Sequence, residues 1–454
     1  MSAAPRRLDV AIVGAGPSAL YTAAALARLD DPQVHVNLIE RLPVIGGLAR
    51  SGVAPDHWTR RQVIDAYETL ARSSGRLQFF GNVDVGRDIT IADLLAHHHA
   101  VIHAVGASGS QPLGIPGEDL DGCHASSRFV GWYNGHPDDA DLEVRLDHER
   151  AVVVGNGNVA LDIARILLRA DADWDRSDIA PHARAALADS RIREVCVLGR
   201  RGPGQAAFTN PELLELAALP DVHLDVDAAE LTDAPWTDTG FAATLRRRTL
   251  EACARAPATP DRKRLRLRFC VSPVEILGQT RVEGVRLVRN RLAVTDDGRV
   301  RAEPLGETED LPAGLVVHAV GYRAQPPAGL PFDAQAGVVP QWEGRVLRSA
   351  HGEVMAGHYV VGWIKRGPRG VIGSNKSCAA QTVRALLDDF AAGRLAAPER
   401  PAASFEAFVQ SRQPERVCYR GWRAIDRHER AQAQAAQPRR KLSRVDEMLR
   451  VARM

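Results

Sequence analysis

LDVAIVGAGPSA at residues 8–19 and AVVVGNGNVALD at residues 151–162 decide the fold. Each stretch joins a short apolar run, typical of a buried parallel strand, to a glycine-rich turn and an Ala- and Leu-rich helix. Units of this kind build α/β folds with parallel sheets. The sequence therefore predicts two Rossmann-like, three-layer dinucleotide-binding domains.

The first glycine-rich turn is predicted to bind a dinucleotide without a 2′-phosphate. Gly14 and Gly16 allow a tight turn and close approach of a pyrophosphate, while Ala19 lets the helix pack against the strand. The next strand, VHVNLIE at residues 34–40, ends in Glu40. A carboxylate there accepts hydrogen bonds from a ribose diol and repels a 2′-phosphate, so FAD or NAD is expected. The alternative is a glycine turn with a purely structural role.

The second glycine-rich turn is followed by a different signal. Its next strand, VCVLG at residues 195–199, ends in Arg200 and Arg201. Charge-assisted hydrogen bonds from these guanidinium groups to a 2′-phosphate contribute roughly 1.5–3 kcal/mol each, which favours NADP(H). The alternative is a solvated arginine pair. Two different dinucleotides in one chain are typical of flavin enzymes, in which FAD stays bound and NADPH exchanges.

Further patterns extend this organisation. AVIHAVG at residues 100–106 and LVVHAVG at residues 315–321 read as buried strands that end where the chain passes between nucleotide domains. RLRLRF at residues 264–269 and GVRLV at residues 284–288 alternate, which indicates an antiparallel or mixed sheet. Residues 171–192 are predicted to form a helical insertion. The tail from about Ala397 is predicted to be charged and helical.

Composition and charge exclude other classes of protein. A formal net charge of +2 is too balanced for a nucleic-acid binder, and no apolar run is long enough to span a bilayer. The six cysteines are scattered without any C-x-x-C, which argues against structural zinc, a bound iron–sulfur cluster or a dithiol centre. A cytoplasmic protein without a metal is expected. The run His97-His98-His99 is interpreted as a solvent-facing turn and not as a metal site.

Longer strings carry a family resemblance. They are VGAGPSALY (13–21), GVAPDH (52–57), GNGNVALDIARILL (155–168), GRRGPGQAAFTNPELLEL (199–216) and GWIKRGPRGVIGSNK (362–376). In these strings, which run in order over nearly the whole chain, the sequence resembles the adrenodoxin reductase-like ferredoxin–NADP reductases, including their bacterial members. The resemblance implies an NADP domain (109–323) inserted into an FAD domain made of residues 1–108 and 324–454.

The resemblance also implies site residues. Those expected at FAD are Gly14, Gly16, Ser18, Ala19, Glu40, Leu48, Val83, Trp363, Gly370, Val371 and Ile372. Those expected at NADP are Asn156, Gly157, Asn158, Val159, Arg200, Arg201, Glu212 and Gly370. His57 and Glu215 match a pair placed near the redox centre. Because Glu212 and Glu215 share one helical face, their roles cannot be separated from sequence.

The implied activity is FAD-dependent oxidation of NADPH, with hydride transfer to FAD followed by single-electron transfer to ferredoxin or a similar small iron–sulfur protein. The helical run Arg246, Arg247 and Arg248 is a candidate docking site for an acidic ferredoxin; the alternative is a solvated helix face.

Other functions remain open. They are an NADPH diaphorase or quinone reductase, a flavin electron-supplying subunit like that of glutamate synthase, and a catalytically silent NADP-sensing or scaffold protein. The sequence departs from the family pattern at Ile45, Gly46 and Trp58, near the expected flavin.

Overall fold

The computed structural model describes residues 6–57, 63–65, 67–69, 75–232, 236, 240–257, 259–295, 300–370, 372–434 and 436–454. The strands are β1 (Arg7–Val13), β2 (Gln33–Glu40), β3 (Leu77–Gly81), β4 (Ala100–His103), β5 (Gly109–Ser110), β6 (Cys123–Ala125), β7 (Arg150–Val154), β8 (Glu194–Gly199), β9 (Val222–Val226), β10 (Lys263–Phe269), β11 (Val271–Leu277), β12 (Gly284–Val294), β13 (Val300–Pro312), β14 (Leu315–His318), β15 (Tyr322–Arg323), β16 (Gln341–Trp342), β17 (Arg345–Leu347) and β18 (Val354–Val360).

The α-helices span Pro17–Ala27, Leu48–Ser51, Ile91–His97, Ser126–Asn134, Asn158–Leu168, Pro181–Ala188, Asn210–Ala217, Ala228–Thr232, Phe241–Arg255, Trp363–Arg366, Asn375–Ala391, Phe405–Arg412, Tyr419–Ala431 and Val445–Ala452. Short 3-10 helices span Pro137–Asp139, Asp171–Arg176, Pro203–Gln205, Ile372–Ser374 and Ala402–Ser404. The helical insertion and the helical tail are therefore both present as predicted. None of the helices in the described part of the chain has the length and apolarity that crossing a bilayer requires.

The first sheet is built from both ends of the chain. Its strand order is β16-β17-β18-β4-β1-β2-β3, and the run from β18 to β3 is parallel. Helices Pro17–Ala27 and Asn375–Ala391 pack together on one face of this sheet and bury a continuous apolar core. The glycine-rich turn after β1 consequently lies at the centre of the sheet's carboxyl edge, where α/β proteins bind nucleotides.

The second sheet is built from the middle of the chain. Its order is β6-β14-β7-β8-β10-β9, and every pairing is parallel. The predicted fold class is thereby confirmed: one doubly wound unit is inserted into another. The residue boundaries given above for the two domains stay a prediction.

The interpretation of RLRLRF as antiparallel or mixed was wrong, because β10 pairs in parallel with both β8 and β9. The alternation has another cause: arginines on one face are covered by carboxylates. Arg268 is nearly buried and donates to Glu230 at 2.7 Å. GVRLV does belong to the antiparallel sheet β11-β12-β13.

The solvent-facing interpretation of the histidine triplet was also wrong. His97 and His98 are buried, and each Nδ1 bonds the backbone oxygen four residues earlier, that of Asp93 at 2.8 Å and of Leu94 at 2.7 Å. The backbone N–H of Asp9 donates to His99 Nδ1 at 3.0 Å. These rings lie where the C-terminal end of the helix Ile91–His97 meets the sheet. Burial there lowers the pKa of His98 to about 4.

Candidate functional site

A cavity of about 1210 Å³ opens at the carboxyl edge of the first sheet. Its lining comes from the first glycine-rich turn, from the segments after β2, β4 and β18, and from the helices Ser126–Asn134 and Asn158–Leu168 beside the second sheet. A site of this size exceeds most small-ligand pockets and suits an extended dinucleotide.

Two glycines hold the nucleotide turns open. Gly14 (φ +98°) and Gly155 (φ +125°) occupy backbone conformations that disfavour side chains. A Cβ on Gly14 would lie 2.7 Å from the carbonyl oxygen of Ala104, and one on Gly155 would lie 2.4 Å from that of Ala319. Both carbonyls belong to the two similar HAVG stretches after β4 and β14. The same close approach of a backbone carbonyl therefore requires glycine in each turn.

Glu40 lines the cavity at the end of β2 and also supports the first turn. Its carboxylate accepts the backbone N–H of Ala15 at 2.7 Å through Oε2 and that of Leu42 at 3.1 Å through Oε1. Burial raises the pKa of Glu40, and these N–H donors oppose that rise. Each oxygen keeps a further lone pair for a ribose hydroxyl. The geometry fits a nucleotide without a 2′-phosphate.

The other residues expected at FAD divide into two groups. Those that line the cavity are Gly14, Gly16, Ser18, Leu48, Trp363, Gly370 and Ile372. Ala19 is instead fully buried between helix and strand, and Val83 packs in the core behind β2 and β3. Val371 lies outside the described residues. The direct FAD contacts of all these residues stay predictions.

The two loop residues that depart from the family pattern, Ile45 and Gly46, lie next to the first glycine-rich turn. Ile45 is buried in the apolar core, and Gly46 donates its N–H to the carbonyl of Ala15 at 2.9 Å. Gly46 has φ +119°, and a Cβ there would lie 2.8 Å from Ile64 Cδ1. Neither residue lines the cavity. These two residues therefore shape the first turn without lining the cavity themselves, and Trp58 lies outside the described residues.

The second glycine-rich turn is hydrogen-bonded to the loop after β8 that carries Arg200 and Arg201 (the arginine loop, residues 200–209). The carbonyl of Asn156 accepts N–H groups of Ala207 at 3.1 Å and Phe208 at 3.0 Å, and Asn158 Oδ1 accepts from Thr209 at 2.8 Å. Gly157 caps the helix that begins at Asn158. The segment that carries Arg200 and Arg201 is thus anchored next to the helix N-terminus, where a pyrophosphate would bind.

Arg200 is exposed and Arg201 is half-buried. Within the described residues, neither guanidinium makes a hydrogen bond or ion pair, whereas both backbone carbonyls are engaged, by Asn290 Nδ2 and by the Cys270 N–H. A fixed backbone with unpaired guanidinium groups is suited to binding a phosphate. The geometry accommodates NADP(H) here.

The candidate redox centre places His57 against Glu215. His57 Nε2 lies 3.0 Å from Glu215 Oε2, and His57 also lines the large cavity. The hydrogen bond from His57 lowers the pKa of Glu215. Glu212 is buried and lies 3.9 Å from Arg165. Both glutamates lie within 4 Å of Arg165, but it is Glu215 that hydrogen-bonds His57.

Sequence reasoning missed three members of this centre: Asp56, Asp162 and Arg165. Arg165 is fully buried and bonds Asp56 and Asp162, and Asp162 lines the cavity beside His57. Burial raises the pKa of Asp162 to about 6, although Arg165 opposes the rise. The available signal was Arg165 itself, a charge in the middle of the apolar helical run DIARILL.

Two groups of side chains in this centre are close enough together for a metal ion: Asp56, His57 and Glu215, and His57, Asp162 and Glu212. Arg165 already brings a positive charge to both groups. The expectation that no metal is bound stays a prediction.

The candidate docking run is not uniform. Arg246 donates to the backbone carbonyls of Ala206 at 2.9 Å and Phe208 at 3.2 Å, which ties it to the arginine loop. Arg247 pairs with Glu251 at 2.8 Å. Arg248 is exposed and has no ion pair within the described part of the chain. Of the three, Arg248 is the one available to a partner.

Known proteins resemble this chain over almost all of its length. A family model described as pyridine nucleotide-disulphide oxidoreductase matches residues 8–197. The probable ferredoxin/ferredoxin–NADP reductase of Mycobacterium tuberculosis is 45% identical and covers 98% of this chain and 76% of its own. The NADPH-ferredoxin reductase FprA of that organism is 44% identical over 97% and 98% of the two chains.

A plant protein and a solved structure agree with these relatives. The mitochondrial NADPH:adrenodoxin oxidoreductase of Arabidopsis thaliana is 38% identical over 99% of this chain and 96% of its own. The structure of Mycobacterium tuberculosis FprA in complex with NADPH superposes with a TM-score of 0.93 at 43% identity, covering 99% of this chain and 100% of the other.

Proposed function

This chain belongs to the NADPH-ferredoxin reductase family, and we propose that it oxidises NADPH through bound FAD and passes electrons singly to a ferredoxin. The observation that carries this proposal is the contrast between the two nucleotide sites. Glu40 faces the large cavity, whereas unpaired Arg200 and Arg201 follow the second turn. A chain with both sites binds two different dinucleotides at once.

Bound FAD supplies the chemistry, because a flavin accepts a hydride and releases electrons one at a time. The residues of this chain position the reactants. Glu40 and the helix that starts at Pro17 orient the FAD ribose and pyrophosphate, while Arg200 and Arg201 hold the 2′-phosphate of NADPH. Trp363 and Gly370 also line the cavity, and the Trp363 ring lies 5.4 Å from that of Tyr322.

His57 and Glu215 form the proton-holding pair of the centre. Glu215 is the anionic partner, because its pKa is lowered by the hydrogen bond from His57, and His57 lines the cavity. Complete turnover, NADPH + 2 oxidised ferredoxin → NADP⁺ + 2 reduced ferredoxin + H⁺, releases one proton. A histidine–carboxylate pair beside the cavity is placed to carry that proton away from the reacting groups.

The identity of the electron acceptor has less structural support than NADPH oxidation. Arg248 supports an acidic protein acceptor through its exposed, unpaired charge. A quinone or another small acceptor is the second candidate, since the same cavity would serve it. The cytoplasmic location remains a prediction from the scattered cysteines.

Titration of the purified yellow protein tests the proposal. Under anaerobic conditions, we expect NADPH to bleach the flavin absorption band at lower concentration and faster than NADH. A panel of ferredoxins, cytochromes and quinones is then offered to the reduced protein. Absence of a flavin band, or equal reduction by the two nucleotides, would contradict NADPH oxidation; fast turnover with quinones and none with ferredoxins would contradict the ferredoxin assignment.

His57→Gln and Glu215→Gln test the assigned pair in the same apparatus. We expect both variants to slow flavin reduction by NADPH in stopped-flow experiments while they retain the flavin. An unchanged rate in both variants would exclude a role for the pair in this step.

A further inference from the structure

We propose that Arg165 is the positioning residue of the redox centre, and that it fixes His57 as the tautomer whose proton lies on Nε2 and points to Glu215. The inference deepens the proposed function and rests on it for its catalytic consequence. Its structural content, the tautomer of one ring, can be measured independently of turnover.

Arg165 projects from the helix Asn158–Leu168 into the space between the two nucleotide units, and its side chain is fully buried. A buried guanidinium destabilises a fold unless groups of opposite charge compensate it. Here Nε donates to Asp56 Oδ2 at 2.8 Å, and one terminal nitrogen donates to Asp56 Oδ1 at 3.1 Å and to Asp162 Oδ1 at 2.8 Å. The fork is therefore held in a fixed orientation.

The same terminal nitrogen lies 3.5 Å from His57 Nδ1. A guanidinium is positively charged and has only donor groups, so an N–H on Nδ1 would face it unfavourably and a lone pair on Nδ1 is favoured. The ring proton then belongs on Nε2, which lies 3.0 Å from Glu215 Oε2 and 3.2 Å from Oε1. The ring therefore turns a lone pair towards the arginine and its N–H towards the glutamate.

Charged groups face His57 from three elements. Asp56 precedes it in the chain, Asp162, Arg165 and Arg169 belong to the helix Asn158–Leu168 and its C-terminal end, and Glu212 and Glu215 belong to the helix Asn210–Ala217. Arg165 lies within 4 Å of all four carboxylates: 2.8 Å from Asp56 and Asp162, 3.7 Å from Glu215 and 3.9 Å from Glu212. One cation thus organises the whole cluster.

The position of the ring proton matters because His57 borders two cavities. It lines the large cavity together with Asp162, and it lines a second cavity of about 590 Å³ together with Glu215. With Nδ1 facing Arg165, the Nε2 proton points to Glu215, which lines the second cavity. Arg165 therefore favours the tautomer in which the proton lies on the nitrogen next to Glu215.

Nitrogen NMR of FAD-loaded protein labelled with ¹⁵N-histidine tests this inference, because ring-nitrogen shifts distinguish the two tautomers. The His57 signals are identified by their loss in His57→Gln. We expect wild type to show a protonated Nε2 and an unprotonated Nδ1. Arg165→Met, which removes the donor, is expected to mix the tautomers.

Two further variants keep the test decisive if Arg165→Met fails to retain FAD. Arg165→Lys keeps the charge but lacks the planar fork, so its single ammonium does not reproduce the separate positions of Nε and of the terminal nitrogen that faces His57, and we again expect a tautomer mixture. Arg169→Met is the matched control: Arg169 also pairs with Asp56, at 2.5 Å, and the wild-type tautomer is expected to persist. Wild-type ring signals in both Arg165 variants would overturn the inference.

Stopped-flow reduction by NADPH separates this inference from the proposed function. We expect a roughly 10-fold slower flavin reduction in Arg165→Met, the equivalent of one charge-assisted hydrogen bond. If His57→Gln itself reduces at the wild-type rate, the assigned role of the pair fails while the tautomer measurement still decides on Arg165. A change of tautomer with an unchanged rate would overturn the claim that Arg165 positions the pair for this step.

Discussion

Arg50 and Glu429, which are 379 residues apart, form a bidentate ion pair with N–O distances of 2.9 and 2.5 Å. Arg50 follows the glycine turn that supports the FAD cavity, and Glu429 lies fully buried on the helix Tyr419–Ala431. Arg439 adds a second contact to Glu429 at 3.2 Å. The C-terminal tail is thereby fastened to the segment that shapes the nucleotide site.

Removing the charge of Glu429 is expected to destabilise the protein by about 3 kcal/mol, since it leaves two arginines around a buried site without their shared partner. The measurement is urea unfolding of FAD-loaded Glu429→Gln. Asp446→Asn is the control, because Asp446 pairs with Arg450 on the surface of the tail and such pairs contribute at most about 1 kcal/mol. Equal losses of unfolding free energy in the two variants would show that the buried ion pair contributes no more to stability than the surface pair.

The same pair predicts a pH dependence. Burial disfavours the charge of Glu429, but Arg50 and Arg439 outweigh it and hold its pKa below its usual range. A depressed native pKa stabilises the fold above the unfolded value, about 4.3, and the contribution is lost as pH falls through the native value. The difference in unfolding free energy between wild type and Glu429→Gln should stay constant at neutral pH and shrink in acid. A difference that grows on acidification would contradict this sign.

Arg200 and Arg201 are expected to determine the preference for NADPH. Substitution of either by alanine should weaken NADP⁺ binding about 10-fold and leave NAD⁺ binding unchanged, because only the 2′-phosphate contact is lost. Calorimetric titration with both nucleotides measures this. Arg262→Ala, an exposed arginine of the same unit, serves as the control. Equal weakening for both nucleotides would assign the pair a structural role.

Arg41 and Asp138 are expected to slow the release of FAD. Both line the large cavity, and they bond each other at 3.2 and 2.6 Å. Because the pair is exposed and contributes at most about 1 kcal/mol, Arg41→Ala or Asp138→Ala should speed FAD release up to about 5-fold. The double variant should add little to either single one. Additive effects in this cycle, measured by flavin fluorescence after dilution, would show that the contact does not retain FAD.

Arg248 is expected to support docking of an acidic ferredoxin. Arg248→Glu should lower the rate of ferredoxin reduction roughly 10-fold at low ionic strength, with less effect at high salt and none on flavin reduction by NADPH. Arg255→Glu is the control, since Arg255 is exposed on the same helix but already contacts Glu251. An effect of equal size in both variants would indicate general electrostatic attraction and no defined site.

The two nucleotide turns, the acid after one and the arginines after the other were readable from the sequence. Each is a local pattern in which a strand, a turn and a helix follow within about 30 residues. The family resemblance extended the prediction to the inserted arrangement of the two units. The structure adds a role for Glu40 that was not predicted: it accepts a hydrogen bond from the Ala15 N–H and so joins segments 25 residues apart.

Only the tertiary structure decided how the residues of the candidate redox centre are arranged and what surrounds the histidine triplet. Glu212 and Glu215 share a helix face, and only the packing of that helix against residues 158 positions away selects Glu215 as the partner of His57. Arg165 is a charge in an apolar helix until folding surrounds it with four carboxylates from three segments. Sequence periodicity reports which side of an element is buried, whereas the choice of partner depends on how distant elements dock, and docking is a property of the folded chain.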